Sequence, residues 1–358
     1  MKLFKGIFIF TLSAAVAVAS LGALTRLVQP KYDGSEFPVE GSFTAEYYDE
    51  TSEHDVLMLG DDEVYENFDP ICLWKEYGIT SYIRGNASQL AWQSYYMLED
   101  ALKNETPKVV IYGVRALAYD KPVREEYNRM VLDGMKWSKT KWDAINASMC
   151  KGEKMIDYIF PLLRYHSRIT ELKEEDITYF TAPRKVTCNG YYMRIDTLPA
   201  SKGADKRSVK KVDNEVKFAD RPMKYLEMMR TLCESKGIKL ILVKSPSLAP
   251  GWSDDMEQQI VSYATEHGLA YINFNNLKKE TEIDYETDTY DGGLHMNYNG
   301  AYKLSTWLGK ELKEKYGIND HRADKKLAGV YREKVEWQQK IIDAQKAELD
   351  LYGEIRNY

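Results

Sequence analysis

The sequence predicts an α/β protein: a parallel sheet between two layers of helices, a three-layer α/β/α sandwich broken once by a helical insertion. Three observations predict it. Strand and helix signals alternate between residues 55 and 112, which requires parallel strands joined by right-handed crossovers. The same alternation resumes between residues 220 and 316. The 358 residues, 44% apolar and 29% charged, are enough for one large domain with a substantial core.

In chain order, Lys2 and Lys5 precede an uncharged run from Gly6 to Leu24, long enough to cross a bilayer. Residues 1–28 therefore read as a membrane anchor, with a signal peptide cleaved after Ala17-Val18-Ala19 as the rival. Either way the positive charge stays inside and the remainder lies outside the cytoplasmic membrane, as a single-pass protein if the anchor is kept. Residues 29–54 are polar and turn-rich and read as a stalk. Asp55-Val-Leu-Met-Leu-Gly60 is a buried strand delivered into a loop. Asp69-Pro70 opens a short helix that stops at Gly78. Thr80 to Ile83 is a second strand, Gln89 to Lys103 a helix, and Pro107 to Tyr112 a third strand. Residues 119–217 read as an inserted helical cap, with helical stretches such as Met155 to Leu172 and a β-like piece around Gly190. Within it, Ser201 to Lys210 reads as a solvated basic loop. Asp220 to Ser235 and Asp254 to His267 are helices, each followed by a glycine and then a strand, Ile238 to Val243 and Leu269 to Phe274. Asn299 to Tyr316 is the next helix. The domain thus runs over 55–325, and 326–358 form a charged amphipathic helix centred on Glu333 to Leu351.

Lys and Arg number 49 against 55 Asp and Glu, a net charge of −6, which excludes nucleic acid as a partner. Four cysteines without a C-x-x-C pair exclude a zinc ribbon or thioredoxin-type site, and no cofactor is expected. In an oxidising compartment they admit three disulfide pairings, left open here.

Ligands of open parallel sheets bind beyond the carboxyl ends of the strands. That rule selects four loops: Gly60 to Glu63, Arg84 to Gln89, Lys244 to Ser247, and Asp288 to Asn297. Of five histidines, only His295 lies in such a loop with an aspartate just upstream, as a base oriented by a carboxylate requires.

These motifs resemble the SGNH/GDSL hydrolase superfamily: a strand ending in Gly-Asp, a Gly/Asn loop, and a late Asp…His-x-Asn before the last helix. The segments DVLMLG, LWKEYGITSYIRG, WQSYYMLEDAL, PKVVIYG, FPLLRYHSR, NGYYMR and DTYDGGLHMNYNGAYKLSTWLG are similar to its exported, membrane-anchored members in Gram-positive bacteria. The resemblance implies an SGNH (flavodoxin-like) fold. It implies an acyl-ester hydrolase or O-acyl transfer factor acting on cell-envelope polysaccharide, alongside a membrane-bound O-acyltransferase. It places the oxyanion glycine at Gly85 with Asn86 beside it, and the acid and base at Asp291 and His295. The nucleophile position falls on Asp62, which has no hydroxyl proton to surrender. A serine acyl-enzyme therefore cannot form there. Arg84 and Lys244 complete a charged crevice with Asp61, Asp62, Glu63, Asp291 and His295. Four readings of that crevice stand open: a glycan- or acyl-binding pseudoenzyme; a Mn, Mg or Zn site on Asp61, Asp62, Asp291 and His295; residual hydrolysis through Ser88, Ser245 or water; and an inert loop with Asp62 paired to Arg84 or Lys244.

Overall fold

The computed structural model describes residues 2–30, 41–181, 185–203 and 217–356. Five strands, β1 (Val56–Gly60), β2 (Ser81–Gly85), β3 (Val109–Gly113), β4 (Lys239–Lys244) and β5 (Ala270–Asn273), form one sheet in the order β2-β1-β3-β4-β5. Every pair is parallel. This is the flavodoxin-like order, with its switch point between β1 and β3.

The helices follow in chain order: α1 (Lys2–Val28), α2 (Ser42–Glu46), α3 (Asp62–Tyr65), α4 (Pro70–Tyr77) and α5 (Ala91–Ala101). The insertion contributes α6 (Glu125–Leu132), α7 (Lys139–Ser148), α8 (Met155–Ile159), α9 (Leu162–Tyr165) and α10 (Glu174–Thr181). Then come α11 (Asp220–Ser235), α12 (Asp254–His267), α13 (Lys278–Thr281), α14 (Tyr298–Tyr316) and α15 (Lys325–Tyr352).

Strand alternation builds both cores. Val56, Met58, Val109, Ile111, Ile241 and Val243 point into a layer made by α3, α4, α14 and α15. Leu57, Leu59, Val110, Tyr112, Leu240 and Leu242 point the other way, into α5, α11, α12 and the first helices of the insertion. Side chains buried this completely contribute about 1.5–3 kcal/mol each, so the strands are fixed by both layers at once.

The helix signals act as the sequence implies. The Asp69 side chain accepts from the Ile71 amide, Pro70 fills the first turn of α4, and Gly78 ends it in the left-handed conformation. α14 begins one residue earlier than expected, at Tyr298, because the Asn297 side chain caps it through the Asn299 and Gly300 amides.

Three expectations need correction. Much of the segment read as a stalk belongs to the domain: Phe43, Thr44 and Tyr47 are buried, and Tyr47 donates to Glu105 Oε1 at 2.5 Å. The last helix starts at Lys325, where Asp324 caps it. Among the described residues the α-helices of the insertion end at Thr181. Residues 185–199 are an extended strap: Ile83 N–H donates to the Asn189 carbonyl at 2.9 Å, and Leu198 N–H to the Thr289 carbonyl at 3.0 Å. Gly190 has φ +81° and lies so close to β2 that a Cβ would stand 1.9 Å from the Ile83 carbonyl oxygen. Most of the Ser201 to Lys210 loop, from 204 on, and residues 31–40 of the expected stalk lie outside the described residues. All four cysteines are free thiols.

The helix α15 braces this edge. Tyr331 stacks on Trp74 with centroids 4.1 Å apart and accepts from the Ser81 amide at 3.3 Å. The Gln338 amide donates to Asp69 Oδ2 at 2.9 Å, and Gln345 bonds the backbone of both Met193 and Ile195. Among the described residues one helix, α1, is long and apolar enough to cross a membrane.

Candidate functional site

The site forms where β1 and the loop ahead of α14 meet. Residue 60 ends β1, Asp61 precedes α3, and the three acids diverge from there. Asp62 points to His295: its Oδ2 lies 2.9 Å from Nε2. Glu63 turns to β4, where Lys244 Nζ donates to its Oε1 at 2.9 Å. Asp61 is wholly buried, and neither carboxylate oxygen has a hydrogen-bond partner.

The histidine loop is tied by an antiparallel bridge between Thr289 and Met296. Asp291 Oδ1 accepts from the Leu294 and His295 amides at 3.0 and 2.9 Å, which leaves Oδ2 free to face His295 Nδ1 at 2.7 Å. Glu66, one turn after Asp62, brings Oε2 to 3.6 Å from the same nitrogen and accepts from the Tyr290 hydroxyl. The Tyr290 ring stacks on the imidazole.

Burial opposes a charged imidazole, but the carboxylates of Glu66, Asp291 and Asp62 outweigh it and hold the His295 pKa well above its ordinary 6.5. Asp62 shows the reciprocal effect. Burial raises it, yet the hydrogen bond and charge of His295 carry it below the ordinary carboxylate range. Asp61 moves the other way, pushed well up by burial and by the charges of Asp62 and Glu63. Burial likewise raises Glu66. The array thus sets a carboxylate on each ring nitrogen of His295, with Glu66 beside Nδ1 and the buried Asp61 behind Asp62.

Three expected site residues lie elsewhere or are otherwise engaged. Arg84 does not face the crevice: period-two alternation sends it with Tyr82 into the opposite layer, where it donates to the Met97 carbonyl at 2.6 Å and to Asp100. Its guanidinium lies 4.1 Å from the centre of the Tyr47 ring. Asn86 is buried and donates one side-chain amide hydrogen to Thr44 Oγ1 at 3.3 Å. Lys244 is buried on Glu63 and the Ser245 carbonyl. Asp62 therefore pairs with neither Arg84 nor Lys244. Gly85 sits beside Gly60 at the β1–β2 exit, where a Cβ would crowd Tyr65. Ser245 donates its hydroxyl to the Glu63 carbonyl at 2.5 Å, which removes it as a nucleophile in this geometry. Ser88 presents its amide 3.5 Å from Asp62 Oδ1, and its side chain bonds Tyr119. Among the described residues, no group of three or more His, Cys, Asp and Glu side chains is arranged to hold a metal ion.

Glu66, Tyr290 and Arg115 join the site without having been singled out. Glu66 carries a signal, four residues after Asp62 on a continuing helical turn. Arg115 does as well: it follows the carboxyl end of β3, and its charge acts on Asp61, Glu63 and Asp62. Tyr290 carries none. His54 also stands between carboxylates, Glu105 at 2.9 Å and Glu50 at 3.4 Å, but at the amino end of β1, away from the strand exits.

No family model matches the chain, and no curated protein matches it. Solved structures do. One is a lipolytic protein of the G-D-S-L family from Desulfitobacterium hafniense, at 15% identity and a TM-score of 0.36, over 71% of this chain and 97% of that one. Another is an acylhydrolase from Bacteroides fragilis, at 13% and 0.36, over 76% and 95%. A third is a GDSL-like lipase from Bacteroides thetaiotaomicron, at 12% and 0.31, over 72% and 87%. The α/β assignment rests on the sheet order and its two helical layers.

Proposed function

We propose that the chain is an extracytoplasmic protein of SGNH type, held in the cytoplasmic membrane by α1. On this reading it engages acylated cell-envelope polysaccharide without a serine acyl-enzyme, as a binding or accessory factor to a membrane-bound O-acyltransferase. One observation carries it: the group 2.9 Å from His295 Nε2, where a triad needs a hydroxyl, is the carboxylate of Asp62.

A triad histidine works by taking a proton from its nucleophile. Here both ring nitrogens donate to carboxylates, so the ring has no lone pair to offer, and its partner has no proton to give. With both ring N–H groups taken, the array instead presents carboxylate oxygens, acceptors that recognise sugar hydroxyls. Asp62 as a water-activating base is disfavoured, because a carboxylate held below its usual range is a weak base.

The test uses the full chain in detergent or nanodiscs and a fluorophosphonate that traps activated serines. The wild type forms no adduct and turns over aryl acetates no faster than the His295→Ala variant. Asp62→Ser restores a hydroxyl beside Nε2 and gains both an adduct and esterase activity. Adduct formation by the wild type at Ser88 or Ser245, or ester turnover indifferent to Asp62, would overturn the reading.

A further inference from the structure

The insertion exposes an apolar face beside the outer end of α1. Ile156, Phe160, Leu163, Ile169 and Ile177 are between 43% and 62% exposed, and they lie on α8, α9, α10 and the turns between them. α1 packs against α9, α10 and the intervening turn. Arg168, in that turn, ties the parts together: Nη1 donates to the Val28 carbonyl at 2.8 Å, and Nη2 pairs with Asp176 of α10 at 3.2 Å. The bond to Val28 meets one of the carbonyls that a helix end leaves without a partner. Between α1, α2 and the insertion lies a cavity of ≈ 990 Å³. Val18 and Leu21 form one wall, and Phe160, Leu163 and Trp137 another.

These positions set a depth. From Val18 to the end of α1 at Val28 the helix rises about 15 Å at 1.5 Å per residue. Phe160 and Leu163 line one cavity with the outer part of α1, from Val18 to Arg26. Apolar faces that lie in the membrane interface sink about 5–10 Å into it. The half-exposed ring of Trp137 is of the type enriched at that level. A water-facing surface has no need of five exposed large apolar side chains gathered at the foot of a membrane helix.

We propose that this face is a membrane seat, resting in the outer leaflet beside α1 with Phe160, Leu163, Ile169 and Ile177 against lipid. The proposal rests on the reading of α1 as a spanning anchor, and the experiment separates the two. A benzophenone amino acid replaces Phe10, Phe160, Leu163, Ile169, Ile177 or Val261, one at a time, in the full chain. Each protein is reconstituted in phosphatidylcholine–phosphatidylglycerol nanodiscs, irradiated and analysed for lipid adducts by mass spectrometry. Val261 is an exposed apolar residue of α12 outside the patch. Thermal unfolding selects the chains that retain the fold. The expected result is lipid adducts at Phe10 and at the four patch positions, and none at Val261. Adducts at Phe10 without any at the patch would overturn the seat and leave the anchor standing. No adduct at Phe10 or the patch would overturn both. Cross-linked dimers in place of lipid adducts would assign the face to a second copy of the chain and overturn the proposal.

Discussion

Replacing Asp62 by asparagine keeps the shape of the site and removes one charge. Asp62 and His295 are 28% and 18% exposed at a separation of 2.9 Å, so solvent screens the pair only in part. A hydrogen bond between charged groups contributes about 1.5–3 kcal/mol. Its loss lowers the His295 pKa toward the ordinary imidazole value. Asp291 and Glu66 remain, so the upward shift is reduced rather than abolished. The folded pKa of His295 is raised, so its contribution is fully present below the unfolded value of 6.5 and lost as pH rises through the folded one. Asp62 is lowered, so its contribution is present above its unfolded value of 3.8 and lost as pH falls through the folded one. The two shifts describe one interaction, strongest between about pH 4 and 6.5. At pH 5.5 the variant loses roughly 3–6 °C of melting temperature, at about 2 °C per kcal/mol for a chain of this size. The deficit shrinks as pH passes the folded pKa of His295. Unfolding followed by tryptophan fluorescence across pH gives the deficit, and ring NMR of the histidine-labelled chain gives the titration. A deficit equal at pH 5.5 and pH 10, or a His295 pKa indifferent to residue 62, would refute the reasoning.

Glu63→Gln strands the Lys244 ammonium in the core and costs about 3–5 kcal/mol in urea unfolding, as removing one partner of a buried pair does. The double variant Glu63→Gln, Lys244→Met recovers most of that loss, since no buried charge is left unpaired; a double variant no more stable than the single would show otherwise. Gly190→Ala forces the strap off β2, because residue 190 combines a left-handed φ with a 1.9 Å approach to the Ile83 carbonyl. It costs about 2 kcal/mol or more, and the Ile83 amide, released from the Asn189 carbonyl, exchanges its hydrogen faster.

Most of the scaffold is legible in the sequence because its signals are local. Each strand is a short apolar run, and helices such as Asp69-Pro70 to Gly78 carry a cap at each end. His295 is legible for the same reason: a strand-exit loop and an aspartate four residues upstream fix its orientation by backbone geometry alone. Arg84 misled because it stands at the right height on β2 but on the wrong side of it. Counting by twos from Ile83, a core residue of the α4 layer, would have shown this. The three acids after Gly60 could not be apportioned in advance, since Lys244 and His295, which claim Glu63 and Asp62, come from distant parts of the chain. Polar neighbours hid the segment after residue 41, although Phe43 and Tyr47, four apart, are one helical face.

The brace formed by α15 bears on how the molecule comes to be folded at all. The outer edge of β2 is covered by the Tyr331 hydroxyl and the strap at Asn189, and Gln345 pins that strap in turn. Unpaired strand edges invite association with other chains. A polypeptide that emerges amino end first presents β2 long before residues 331–345 arrive. The strap at Asn189 can cover part of that edge once it is made, but the share of the cover that α15 supplies arrives only at the end of synthesis. The last thirty or so residues act as a clasp, and truncating them would leave a protein with an adhesive flank.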